Sequence, residues 1–304
     1  MKIHFVIYII LFGFIITCTN KDIDLINAVK EGDAFKVEQL IEQGANVFSK
    51  DEQGLSVLDY AKEFKEQTVL EIIIEEIDTK TLNFIIASEQ GDLEKVKTFL
   101  ELGVNANATN ISGDSTLLLA CYNGHSQVIA LLLKAGANLN TTDEERRTVL
   151  MVAAHKGHLP VVKLLIESGA DIDAQDINGK TALIRAAING HWEVVALIIE
   201  AGADVNISDI SGASALMWAA YNGNVKAVQA LIAAGAAVNT RTNYWLWTPL
   251  LAAAERGHTQ VVAMLIEAGA DVNMKARWEI TPLSLAVNGG HEAVIELITK
   301  TATE

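Results

Sequence analysis

The chain has 304 residues, half of them apolar, with three prolines, two cysteines and a formal charge of −15. The apolar share is enough for an extensive core. The acidic balance excludes nucleic acid as a natural partner, because a phosphate backbone would be repelled.

Residues 1–18 read as a leader. Lys2 precedes a twelve-residue apolar core, Phe5 to Ile16, and Thr17-Cys18-Thr19-Asn20 follows. A basic start and an apolar core of that length make a secretory signal, somewhat short for a membrane span. Ile15-Ile16-Thr17-Cys18 resembles the bacterial lipoprotein box, although Thr17 stands where that box usually has Gly, Ala or Ser. The resemblance implies lipidation at Cys18 and a protein anchored on the periplasmic side of the cell envelope. An uncleaved leader anchor and simple secretion are the alternatives. Acylation of Cys18 would leave Cys121 without a disulfide partner, so stability must come from stacking.

Helical periodicity begins at once. Leu25–Val47 reads as a first helix-turn-helix unit and Gly54–Asp78 as a second, with Lys65 where a glycine is expected. From Lys65 to Gly91 is 26 residues. The turn between these units is therefore short, and an irregular joint with a shortened finger is expected near Asp78. The expected division is two divergent units over 19–78 and a main array of seven over 79–304.

From Gly91 the chain repeats. Gly91, Gly124, Gly157, Gly190, Gly223, Gly257 and Gly290 are spaced by 33 residues, with one step of 34. A fixed period of this size signals stacked repeats. Within each period a turn glycine and a Ser or Thr precede a short apolar helix. The next glycine breaks it, a second amphipathic helix follows, and another glycine ends that. Thr248-Pro249-Leu250 and Thr281-Pro282-Leu283 open two units, with Leu251 and Ser284 at the position after the leucine. The pairs Ala153-Ala154, Ala186-Ala187, Ala219-Ala220 and Ala253-Ala254 sit in the first helices. Gly-Ala-Asp-Val-Asn closes units at Gly202–Asn206 and Gly269–Asn273. These motifs resemble the ankyrin repeat from about Ile23 to Ile298. The resemblance implies an all-α solenoid of stacked helix-turn-helix units with projecting β-turn fingers, and a protein-binding rather than a catalytic role.

Five of the seven histidines stand in Gly-His, one unit apart. Packed layers are roughly 10 Å apart, and a metal ion with bonds near 2 Å cannot bridge them. A histidine bonding to backbone at a turn is the simpler reading. His155 and His158 are the candidates for an enzymatic alternative, but they form no catalytic order. Phosphate loops, paired-cysteine metal sites and nucleophile elbows are missing from the sequence, so no catalytic residue, cofactor or metal is expected. Asp204, Asp209 and Asp271 fall in turns where carboxylates bond to local backbone. Cys121, second in its alanine pair, reads as a small buried residue.

The window Arg241–Trp278 differs from the rest. It carries four basic residues against three acidic ones and holds Tyr244, Trp245, Trp247 and Trp278. By the resemblance, Tyr244, Trp245, Trp247, Arg277 and Trp278 fall on two adjacent fingers, while Tyr122, Tyr221 and Arg256 take concave positions. Aromatics and arginine dominate binding hot spots. Tyr221, Tyr244, Trp245, Trp247, Arg256, Arg277 and Trp278 are therefore the expected partner-binding residues. Trp192 and Trp218 fall within helices and are expected to pack. The expectation is a monomeric, lipid-anchored bacterial scaffold that binds a protein; a secreted host-directed effector is the alternative.

Overall fold

A computed structural model describes residues 19–64 and 66–303. The leader, Cys18 and Lys65 lie outside the described residues. The chain folds as two compact units that divide between Asn138 and Leu139.

The first unit contains α1 (Asn20–Glu31), α2 (Ala34–Glu42), α3 (Val57–Phe64), α4 (Gln67–Gln90), α5 (Leu93–Leu102), α6 (Thr116–Asn123) and α7 (Ser126–Lys134). Leu25, Val29, Val37, Val57 and Ile73 are buried together in its amino-terminal core. The irregular joint takes a form the spacing did not predict. α4 is one continuous helix of 24 residues that runs straight through Asp78. The second helix of one repeat thus continues into the first helix of the next, with no finger between them. The physical reason lies in the composition, since Gln67–Gln90 contains neither glycine nor proline to break the helix. The boundary expected between 78 and 79 falls inside this helix and is corrected.

The second unit contains five helix pairs: α8 (Val149–Lys156) with α9 (Leu159–Glu167), α10 (Ala182–Ile188) with α11 (Trp192–Glu200), α12 (Ala215–Tyr221) with α13 (Val225–Ala233), α14 (Pro249–Glu255) with α15 (Thr259–Glu267), and α16 (Pro282–Gly289) with α17 (Glu292–Thr303). Among the described residues there is no extended strand, and only isolated bridges such as Ser208–Ser214 close the finger stems. The fold is an all-α repeat solenoid, as the period predicts.

Each helix type follows from its sequence. First helices are covered on both sides; in α8 every residue from Val149 to Ala154 is buried. Second helices bury only a stripe, as with Val161, Val162 and Leu165 in α9. Each such side chain contributes about 1.5–3 kcal/mol on burial. First helices open on a Ser or Thr whose hydroxyl accepts the amide three residues on. Examples are Thr181 to Ile184 at 3.3 Å and Thr248 to Leu251 at 3.2 Å. Pro249 and Pro282 occupy the first turn, where a missing N–H is no loss.

The opening of each second helix explains Gly-His. Where Asn224 stands, its side chain caps its own helix by accepting the amide of Ala227. Where a histidine stands, the own-helix cap is missing. The ring instead donates through Nε2 to a carbonyl one repeat back: His125 to Glu89, His191 to His155, His258 to Tyr221 and His291 to Glu255, at 2.9–3.0 Å. The histidine gives up a local cap to fasten two repeats together. The preceding glycine makes room. A Cβ on Gly223 would sit 2.6 Å from the His258 ring, and its φ of +68° already disfavours a side chain.

Candidate partner-binding site

The fingers of the second unit are braced internally and to one another. Asp176 accepts the amides of Asn178 and Lys180, and Asp209 those of Ser211 and Ala213. Asp204 and Asp271 bond to amides two residues on, as turn carboxylates should. Neighbouring fingers share backbone bonds: Ile210 N–H to Asn178 O, Asn243 N–H to Ser211 O, and Arg277 N–H to Trp245 O, at 2.8–3.1 Å.

Each finger aspartate also receives a donor nine residues along, from the following first helix. Arg185 donates to Asp176 through Nε at 3.0 Å, and both are buried. The Trp218 indole N–H reaches Asp209 at 3.4 Å. One repeat further on, the position of Arg185 and Trp218 is held by Ala252, and after it by Leu285. The corresponding finger residues are Thr242 and Ala276, which carry no carboxylate. A large polar filler has been replaced by a small apolar side chain, and a space opens beside it.

That space is a cavity of about 600 Å³. Trp218, Tyr221, Trp245, Trp247 and Trp278 form its aromatic wall. Met217, Ala252 and Leu285 contribute apolar surface, and Glu255 a carboxylate. Trp278 and Trp245 remain 71% and 46% exposed. Their rings meet edge to face at 5.1 Å between centroids, and Tyr244 packs on Trp245 at 4.9 Å.

The backbone is bent to make this arrangement. The glycine corner of the preceding finger, Gly212, is replaced by Leu246 in a finger longer by one residue, and by Glu279 in the last. Leu246, Trp278 and Glu279 all have φ between +56° and +61°. Left-handed conformations of this kind carry about 1–3 kcal/mol of strain each and concentrate at functional sites.

Of the residues singled out by sequence, Tyr221, Trp245, Trp247 and Trp278 line the cavity, and Tyr244, Arg256 and Arg277 lie at its margin. The arginines are not free charges. Arg256 stacks 4.2 Å over Tyr221 and donates to its hydroxyl, while Arg277 stacks 4.0 Å over Tyr244. Trp218, expected only to pack, does pack against Met217 and Ala252 but also walls the cavity. Its signal was the repeat comparison, Arg185 to Trp218 to Ala252. Trp192 lies outside the cavity lining, with the Lys226 ammonium 4.0 Å above its ring.

The alternative histidine site takes a structural form. His155 Nδ1 faces the Asn189 amide at 2.8 Å, and its carbonyl receives His191. Burial, followed by the charges of Arg185, Lys156 and Arg147, holds its imidazole below the ordinary range, so it is neutral near pH 7. Among the described residues no His, Cys, Asp and Glu group is arranged to hold a metal ion. Burial pushes the Cys121 thiol up, which makes it inert.

A family model described as ankyrin repeats, in three copies, matches residues 84–176, 147–209, 174–242 and 216–303. A search of curated proteins returned no match.

Proposed function

The chain belongs to the ankyrin-repeat family, and from that premise we propose that it is a protein-binding scaffold of a bacterial cell envelope. Ankyrin repeats are generally non-catalytic modules that bind other proteins. This one captures its partner through the fingers and concave surface of its last three repeats. The observation that carries the reading is the wall of five aromatic rings around one cavity, with Trp278 and Trp245 open to solvent. Exposed aromatic patches of this kind mark interaction surfaces.

The leader supports the location. A secretory apolar core ending in Ile-Ile-Thr-Cys fits a lipid-anchored monomer facing the periplasm. Fatty-acid labelling tests this: wild type takes up label and Cys18→Ser does not. Equal labelling removes the lipid anchor. Crosslinking in the native envelope followed by mass spectrometry identifies the partner. A Trp245→Ala/Trp278→Ala variant with an unchanged melting profile then tests the surface. Truncating one central aromatic anchor weakens binding by about 2 kcal/mol, or about thirtyfold. Undiminished capture by the double variant places the interface elsewhere.

A further inference from the structure

We infer that the aromatic cavity is a binding site for a methylated ammonium group, either a quaternary amine or a methylated lysine side chain. The inference stands on the chemistry of the lining and does not require the envelope location or a protein partner.

The aromatic faces come first. Cations of the chain already sit over several rings in the second unit: Arg256 over Tyr221, Arg277 over Tyr244, Lys226 over Trp192, and Lys180 at 5.7 Å over Trp218. Among the described residues, none lies over Trp245, Trp247 or Trp278. These are indoles, the rings that attract cations most strongly, and the attraction grows when the site is desolvated. Trp245 and Trp278 meet at an interplanar angle of 61°, which makes a corner presenting two faces to one guest.

The hydrogen-bond inventory comes second. The Ser211 hydroxyl is used on Asp209, the Thr242 hydroxyl oxygen accepts the Trp247 amide, and the Tyr221 hydroxyl accepts from Arg256. A guest with several N–H groups would leave them unpaired, and each unpaired polar group in an apolar setting is costly. A trimethylammonium group has no N–H to satisfy. It is also more weakly hydrated than a bare ammonium, because its charge is spread over methyl groups.

The carboxylate comes third. Glu255 is the charged residue of the lining, is exposed, and makes no ion pair among the described residues. It selects a cation over a neutral group of the same shape. A volume of about 600 Å³ lies within the range of small-molecule sites.

The test titrates the full chain, by calorimetry and tryptophan fluorescence, with choline and with its neutral isostere 3,3-dimethylbutanol. Choline should bind at least about tenfold more tightly, as cation–π attraction in a desolvated site allows. Glu255→Gln should shrink that preference. Trp278→Ala should weaken choline several-fold at an unchanged melting profile, while Trp192→Ala leaves it intact. Equal affinity for choline and the isostere, or no saturable binding of choline and of the trimethyllysine peptide below, overturns the inference. A second arm compares a trimethyllysine peptide with its unmodified form and with choline. A methyl-dependent peptide that outcompetes choline identifies a protein side chain as the source; choline equal to or better than the peptide identifies a free quaternary amine.

Discussion

Replacing Gly223 by alanine should damage the stack far more than replacing Gly190. Both glycines are left-handed, with φ of +68° and +76°. An alanine in that region costs about 1–2 kcal/mol on its own. At Gly190 that is the whole penalty, because the nearest atom to the new methyl, Asn224 Nδ2, is 3.7 Å away. At Gly223 the methyl would lie 2.6 Å from His258 Cε1 and Nδ1, so the ring must move. Movement breaks its bond to the Tyr221 carbonyl, worth about 1 kcal/mol, and forces a repacking worth about 1–3 kcal/mol. The expected totals are therefore about 1–2 kcal/mol for Gly190→Ala and about 3–5 kcal/mol for Gly223→Ala. Urea denaturation followed by circular dichroism measures both. The double variant Gly223→Ala/His258→Ala removes the clash and should be less destabilised than the sum of its single changes, a coupling typical of residues in contact. Equal losses at the two glycines, or strict additivity in the double variant, would refute the joint as described.

The buried pair Asp176–Arg185 should tolerate loss of its cation better than loss of its anion. Asp176→Ala strands a buried guanidinium at about 3–5 kcal/mol, whereas Arg185→Met leaves Asp176 still bonded to the amides of Asn178 and Lys180 and should cost less by denaturation. His155 is held neutral in the fold below its ordinary value of 6.5. Its contribution to stability is therefore present above that pH and lost as the pH falls toward the folded value, because the unfolded chain takes up the proton first. Melting followed from pH 8 to 5 should show a fall that His155→Gln flattens; identical profiles would exclude it. Thr79→Pro should cost about 3 kcal/mol or more if α4 is continuous, and little if a turn lies there.

The repeat frame was legible because its determinants are local. Serine and threonine caps, the breaking glycines and the helix periodicity are each written within a few residues. α4 was misjudged for an instructive reason. The shortened spacing was visible, but a missing turn was read as a shorter one. The absence of any breaker between Gln67 and Gln90 decides for helix. At the site, the aromatic fingers were legible from composition, but the cavity was not. It depends on which side chain stands opposite each finger, a relation between residues about one period apart. The arginines were assigned to an acidic partner because charge can be counted from sequence. Their stacking on Tyr221 and Tyr244, 35 and 33 residues away, cannot.

The Gly–His fastening also governs how such a gene can lengthen. Each histidine needs a glycine at one fixed distance before it. An unequal recombination that copies or excises a whole period leaves every ring with its notch, whereas any other length strands one ring against a Cβ. The single 34-residue step obeys this rule in its own way. Its extra codon falls in the finger ending at Leu246, where the chain projects and no fastening is disturbed. Tolerance to added length is thus confined to the fingertips, which are also where the aromatic wall arose. Novelty in recognition accumulates where it leaves the stack unharmed.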